Sequence, residues 1–510
     1  MMNLGRVERP PRGAWLCAGL FFVLQLGWGP RYPVFRDEFY YLACADYLAW
    51  GYVDHPPLSI AVLAVWRAFF GETLLSLRVL PSLAGAATVL LASALAGVLG
   101  GGSFARTLTA AAVLAAPTVF GITSFYSMNA FDFVFWIASV LLLARLCVAE
   151  AATRRRLWLM LGMMVGLGLL NKLSVGALGA GIGAAVLLTP LRSDLRTWSP
   201  WLGGVIALAC VTPYALWQLQ NDWPTIEFMQ NAARHKNVVL GPMGFLLAQV
   251  QDFGPLNAVV WGTGLVWLVL GAGGRFRALA IVFVTAFLVF MNGKAYYLAP
   301  ALLVPLAAGT VAIERGVRAP RRALARHAIV GLVLVTAAVP LPIVVPLLSP
   351  ERLGGYMRGL GIVPEQAEHT AMGVLPQHFA DRFGWEELTS IVARAWHSLT
   401  PEEQRHAIIV TSNYGEAGAL RYYGPALGLP TATSQHNNFY LWGPGNPEAT
   451  IVVAVGMSRE DLAEVFEDVQ TTSALTHPLA MPFEREHPVA IGRRPKVSLL
   501  TAWAAGKRFI

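Results

Sequence analysis

The chain has 510 residues, 55% of them hydrophobic and only 13% charged, with a formal net charge of +8. A globular domain carries about 25% charged residues, so a soluble protein is excluded and a polytopic membrane protein is expected. The positive charge does not speak for nucleic acid, because the arginines gather in short loops between apolar runs, the topology signal of membrane chains.

Arg6, Arg9 and Arg12 stand ahead of an apolar run that starts at Ala14. The arrangement is signal-like but has no convincing small-residue cleavage site before Arg31, and it reads as an uncleaved first span. A span needs roughly 20 apolar residues. Windows of this kind are expected at 14–31, 76–100, 105–122, 131–150, 157–171, 173–190, 200–218, 251–272, 277–292, 295–313 and 327–348, about eleven in all. The region 157–190 also fits one broken helix, and 277–313 is two short runs around Asn292-Gly293-Lys294.

With the N-terminus in the cytoplasm, the inner loops hold Arg106, Arg154 to Arg156, Arg192 and Arg196, Arg275 and Arg277, and Arg315, Arg318, Arg321, Arg322 and Arg326. Each is short and basic, as the positive-inside rule requires. The outer segments are then 32–75, 123–130, the turn 171–172, 219–250, 292–295 and everything after about 349. Those before residue 300 carry Asp37, Glu38, Asp46, Asp54, His55, Asp222, Glu227, His235 and Asp252. The four cysteines show no metal-type spacing.

The first outer segment holds the adjacent acids Asp37 and Glu38, and an aromatic-rich helix is expected from Phe39 to Trp50, ended by Gly51 and lying in the interface. Asp54-His55-Pro56-Pro57 follows as a rigid turn, since proline fixes φ and removes donors. Segment 219–250 is similar, with Trp223, Phe228 and Met229 beside Arg234, His235 and Lys236. After about residue 350 charges become frequent. Strands are expected at 407–413 and 450–456 and helices at 414–423 and 459–466, a soluble α/β domain over 350–510 beside a membrane domain over 1–349. The loop 435–445 is polar and aromatic, suited to touching a sugar or another membrane component. The Gly-rich runs 162–168 and 176–183 lie inside spans and read as close helix packing.

Several of these groups could do chemistry. A positioned carboxylate, Asp37 or Glu38, can take the proton of an attacking hydroxyl. The same acids suit the start of a helix, and one can cap while the other reacts. Asp54 and His55 could hold a metal or form a hydrogen-bonded turn. Arg78, Lys172 and Lys294 each fall at the outer end of a span, where cations can hold a lipid phosphate or snorkel to the interface. Tyr296 and Tyr297 could flank that phosphate or belong to an aromatic belt. Asp132 could orient a cation or the acceptor, or serve as a helix-start acid.

The acid pair after one span, the DHPPL turn, the RVLPS stretch at Arg78, the Lys172 segment and KAYYLAP together resemble glycosyltransferase family 39 over about residues 30–315. That family includes the protein O-mannosyltransferases and bacterial lipid A aminoarabinose transferases. The resemblance implies a C-type glycosyltransferase fold and a polyprenyl-phosphate sugar donor. It makes Asp37 the base, with Glu38 its neighbour, and assigns Lys172 or Lys294 to the donor phosphate. It implies inverting transfer to a hydroxyl of a lipid, glycan or protein at the outer face of the plasma (inner) membrane. No inserted β-rich domain is recognisable between spans, which favours lipid or polysaccharide over protein. No cofactor is demanded and no metal site is assigned, although a divalent metal stays open. No nucleotide site is needed, and none of the glycine runs has a phosphate-loop setting. The competing class is a non-enzymatic transporter or lipid-linked sugar flippase. It fits less well, because transporters keep their charged site near the midplane.

Overall fold

A computed structural model describes residues 9–270, 274, 276–317, 323–364, 368–485 and 487–510. Arg6, Arg275, Arg318, Arg321 and Arg322 lie outside the described residues.

Apolar runs become helices here because a backbone in lipid must satisfy its own hydrogen bonds. Each expected span is met by helix. The first is Arg12–Trp28, ended at Gly29-Pro30. Leu74–Val98 follows, then Ser103–Leu114 with the short Pro117–Ile122, and Met128–Leu146. The region 157–190 is two helices, Ala151–Asn171 and Val175–Leu188, separated at Lys172. Trp198–Gln220, Pro255–Leu270, Arg277–Phe290, Ala299–Gly316 and Ala323–Ala337 complete the set. Among the described residues, five helices qualify as spans by length and apolarity, or up to seven if two bent pairs each count once. One of those bends, of 115°, lies between Pro242–Phe253 and Pro255–Leu270. There Gly254 has φ 89° and Pro255 cannot donate to the preceding turn. Leu74–Val98, Met128–Leu146 and Ala299–Gly316 form the enclosed centre, while Trp198–Gln220 and Ala323–Ala337 are largely exposed. Of the glycine runs, Gly162 meets the backbone of Gly203 with no room for a Cβ, whereas Gly176, Gly179 and Gly183 face open space. The close-packing expectation therefore fails for most of the second run.

The first outer segment departs from expectation. Its helix is Arg36–Asp46 and stops short of Trp50. Tyr52 folds back, its hydroxyl bonding the Cys44 and Tyr47 carbonyls and the Ala49 amide, each at 3.2 Å, and this turn replaces the last helical residues. Phe39, Tyr40 and Tyr41 are buried in protein and do not face the interface. A second helix, Leu58–Phe70, was not anticipated.

The carboxyl-terminal region is built on a five-stranded mixed sheet. Its strands are β1 (Ala407–Thr411), β2 (Thr433–Ser434), β3 (Ile451–Val455), β4 (Phe466–Ala474) and β5 (Pro488–Pro495), in the order β2-β1-β3-β5-β4. β1 pairs parallel with β2 and β3, while β5 pairs antiparallel with β3 and β4. One face packs on helices Trp385–His397 and Tyr414–Tyr423, the other on Leu462, Leu499 and Trp503. Val34 and Phe39 enter the first of these cores, so the first outer segment is welded to the sheet region. Gly415 and Gly418 permit this approach. A Cβ at Gly418 would stand 2.8 Å from Phe39 Cβ, and one at Gly415 would stand 2.6 Å from Arg36 Cγ. Asp46 adds ion pairs of 2.6 Å to both Arg67 and Arg421.

Candidate functional site

The start of helix Arg36–Asp46 separates its two acids. Successive residues are turned about 100° on a helix. Glu38 points inward and is fully buried. Its Oε2 accepts from the Phe35 amide at 2.8 Å, and Oε1 accepts from the Tyr126 amide at 2.7 Å and pairs with the Arg78 guanidinium. Glu38 is the cap. Arg78, 1% exposed, is sealed behind it. Arg382 lies nearby, enclosed by the rings of Phe35, Phe125 and Phe379 and donating to Ser124 Oγ at 3.1 Å.

Asp37 points the other way and stays partly exposed. Among the described residues, the hydrogen bond to its carboxylate comes from the Tyr414 hydroxyl, 2.8 Å from Oδ1. Burial pushes the Asp37 carboxyl above its ordinary value, against the pull of that hydrogen bond and the charges of Arg36 and Lys236. Arg36 stacks over Tyr414 at 4.9 Å, and its amide donates to the Asp381 carbonyl at 3.0 Å. Burial also lifts the Asp381 carboxyl, to about 7.

The Asp54-His55 turn is held by aromatic residues. Tyr40 donates to Asp54 Oδ1 at 2.8 Å. His55 is buried, stacked on Tyr41 at 4.9 Å and flanked by Tyr40 and Tyr52, with Nε2 3.9 Å from Asp54 Oδ1. Such a boxed imidazole orients the turn. The loop 435–445 grips the same turn, Asn438 Oδ1 accepting from the Val53 amide at 2.7 Å. Asn437, Asn438 and Phe439 are buried, so this part of the loop holds protein, contrary to the expectation of a ligand-touching surface.

The expected cations all have acid partners. Lys172 Nζ lies 3.3 Å from Asp132 Oδ2, which also accepts from Ser174 Oγ at 2.8 Å. Its ammonium sits 4.8 Å from the Tyr297 ring centre and 6.0 Å from that of Tyr296. Lys294 Nζ pairs with Glu368 Oε1 at 2.5 Å, and Lys236 reaches the same oxygen at 3.8 Å. Burial opposes the Glu368 charge, but the two lysines hold its carboxyl down to about 2. Asp37 is near enough for its charge to act on Lys294, and Lys236 acts on Asp37. Asp37, Lys236, Lys294 and Glu368 thus form one electrostatic group, with Lys172, Tyr296 and Tyr297 on its flank. Lys236, Glu368, Tyr414 and Arg382 were not singled out as site residues. Lys236 had a signal, a basic run beside aromatics in 219–250. Tyr414 and Asp37 are 377 positions apart, beyond any local pattern.

Comparison with known proteins bears on this geometry. The family described as dolichyl-phosphate-mannose-protein mannosyltransferase matches residues 54–217. No curated protein matches the chain significantly. Among solved structures, ArnT from Cupriavidus metallidurans bound to undecaprenyl phosphate superposes with a TM-score of 0.60 at 15% identity, over 93% of this chain and 96% of that one. Its apo structure gives 0.56 at 16% identity, over 93% and 97%. The arabinofuranosyltransferase AftD from Mycobacteria gives 0.54 at 14% identity, over 96% of this chain and 40% of that one.

Proposed function

We propose, from a chain with the C-type glycosyltransferase fold, that the protein moves a sugar from a polyprenyl-phosphate carrier to a hydroxyl acceptor, with inversion, at the outer face of the plasma (inner) membrane. The observation that carries this reading is the Asp37 group. A partly exposed carboxylate, hydrogen-bonded by Tyr414, lies within reach of the charges of Lys236 and Lys294, in the fold of a protein solved with undecaprenyl phosphate. Residues 1–349 form the membrane part and 350–510 an extracytoplasmic part, the reading supported by the short basic loops on the opposite side.

In this reaction the acceptor oxygen attacks the anomeric carbon and its proton passes to Asp37. The bond from that carbon to the phosphate oxygen breaks, and the electron pair leaves with the polyprenyl phosphate. Lys294 and Lys236 neutralise the departing charge, the diester taking the place of the Glu368 carboxylate that pairs with them. Lys172, oriented by Asp132, stands on the flank with Tyr296 and Tyr297. Arg78 is left out of phosphate binding, since Glu38 neutralises it in a dry setting. Tyr414, His55 and Asp54 position the base and its loop.

Purified protein in nanodiscs, given polyprenyl-phosphate sugars and lipid or glycan acceptors, is expected to release polyprenyl phosphate as glycosylated product appears. Passage of the carrier between leaflets without any transfer would instead favour the flippase reading.

A further inference from the structure

Behind the helix that carries Tyr414, three side chains converge from separate elements. Glu416 comes from helix Tyr414–Tyr423, Glu484 from the turn Pro482–Glu484, and His487 from the residue before β5. One donor atom from each lies within 4.8 Å of the others. His487 Nδ1 is 2.5 Å from Glu416 Oε1 and 3.3 Å from Glu484 Oε2. Glu416 is fully buried and Glu484 is 3% exposed.

One further observation points to a ligand. Among the described residues, neither Glu484 oxygen receives a hydrogen bond of good geometry, Asn413 being the side chain near enough to act on it, although the carboxylate is buried. Arg36 also pairs with it among the described residues, but its Nη2 stays 3.9 Å from Oε1. A buried carboxylate left this way is costly unless a charge completes it. The backbone also approaches the group closely. Gly456, at φ +70°, lies where a Cβ would stand 2.5 Å from Glu416 Oε1 and 3.0 Å from His487 Nδ1.

We propose that Glu416, Glu484 and His487 bind a single divalent first-row cation, of the zinc or manganese class. Two carboxylates and one imidazole supply three ligands, and water completes a tetrahedral set. Calcium and magnesium fit less well, since they require six or more ligands, nearly all oxygen. The 3.3 Å separation of His487 Nδ1 and Glu484 Oε2 already suits ligands about 2 Å from a common ion. The shorter Glu416–His487 separation opens to about the same value on binding, with loss of the proton between them. The other oxygen of Glu416 stays fixed by the Ser412 and Asn413 amides and the Ser412 hydroxyl. The ion ties Glu484 and His487 to the helix that begins at Tyr414, and so holds the partner of Asp37 in place. It takes no part in the transfer reaction.

The test uses the full chain, purified and stripped with a chelator, then dialysed against Zn²⁺ and separately Mn²⁺. Metal content by mass spectrometry and thermal unfolding are read on the same samples. The expected result is near-stoichiometric uptake of one of the ions and a rise in Tm with its concentration. Both effects should fall at least tenfold in apparent affinity in Glu484→Gln, which keeps the side-chain volume, and in His487→Ala. Uptake by the unaltered protein no greater than by Glu484→Gln would overturn the proposal and leave a proton-sharing triad. Neither readout depends on sugar transfer, so this test and that of the transferase reading fail separately.

Discussion

The two sides of one helical turn behave as different materials. On the Glu38 side a buried carboxylate has filled both oxygens with amides and a guanidinium, and aromatic rings wall off Arg382. On the Asp37 side a neighbouring carboxylate keeps partial exposure, one phenolic partner and a set of lysines. The Glu38 carboxylate is satisfied without any ligand and holds shape, although Arg78 Nε and Nη2 and Arg382 Nη1 behind it have no hydrogen-bond partner among the described residues. The Asp37 side has cations paired with Glu368, which is why the proposed anionic donor is placed there.

Breaking the closed side should cost most in folding. Glu38→Ala leaves Arg78 buried without its partner and should destabilise the protein by about 3–5 kcal/mol, seen as a lower unfolding temperature in detergent. The double variant Glu38→Gln with Arg78→Met should recover part of that loss, because the two changes are coupled. An Arg78→Met variant that folds normally and loses only donor affinity would move Arg78 to the open side.

Changes on the open side should act on substrate with little effect on folding. Lys294→Ala removes a charge-assisted contact worth about 1.5–3 kcal/mol, so the donor KM should rise roughly ten- to hundredfold. Steady-state kinetics over a range of carrier concentrations measures this.

Tyr414→Phe should have the smallest effect, about 1 kcal/mol, with a distinct signature in pH. In the proposed reaction Asp37 acts as a base only when charged. Its proton affinity is raised by burial and lowered by the Tyr414 hydrogen bond, so activity should fall with acidification from a pH above the ordinary aspartate value of about 3.9. Without the hydroxyl the acidic limb of kcat/KM should move to higher pH. A limb that stays in place would leave Tyr414 a purely structural role.

The helices of the membrane part were legible because an apolar run is a local property, although fewer of them than the eleven expected are long enough to cross a bilayer. Strands β1 and β3 and helix Tyr414–Tyr423 were legible for the same reason, the helix start being marked by Asn413 and Glu416. Strands β4 and β5 were not. β4 reads FEDVQTTSA, is largely solvent-facing and lacks an apolar alternation. The acid pair was visible, but its division of labour depended on Arg78, Tyr126 and Tyr414, which no spacing rule connects to it. Likewise Lys172 and Lys294 stood out as cations, while Asp132 and Glu368 became their partners only through the fold. The helix expected to reach Trp50 was overextended because the Tyr52 hydroxyl competes for its last carbonyls.

Turnover of Asp37→Asn, with carrier binding measured on the same preparation, probes the assignment of the base most directly. The account predicts carrier binding within a few-fold of the unaltered protein and a kcat reduced by about 10²–10⁴. Unaltered turnover in that variant, with the carrier still bound, would contradict it.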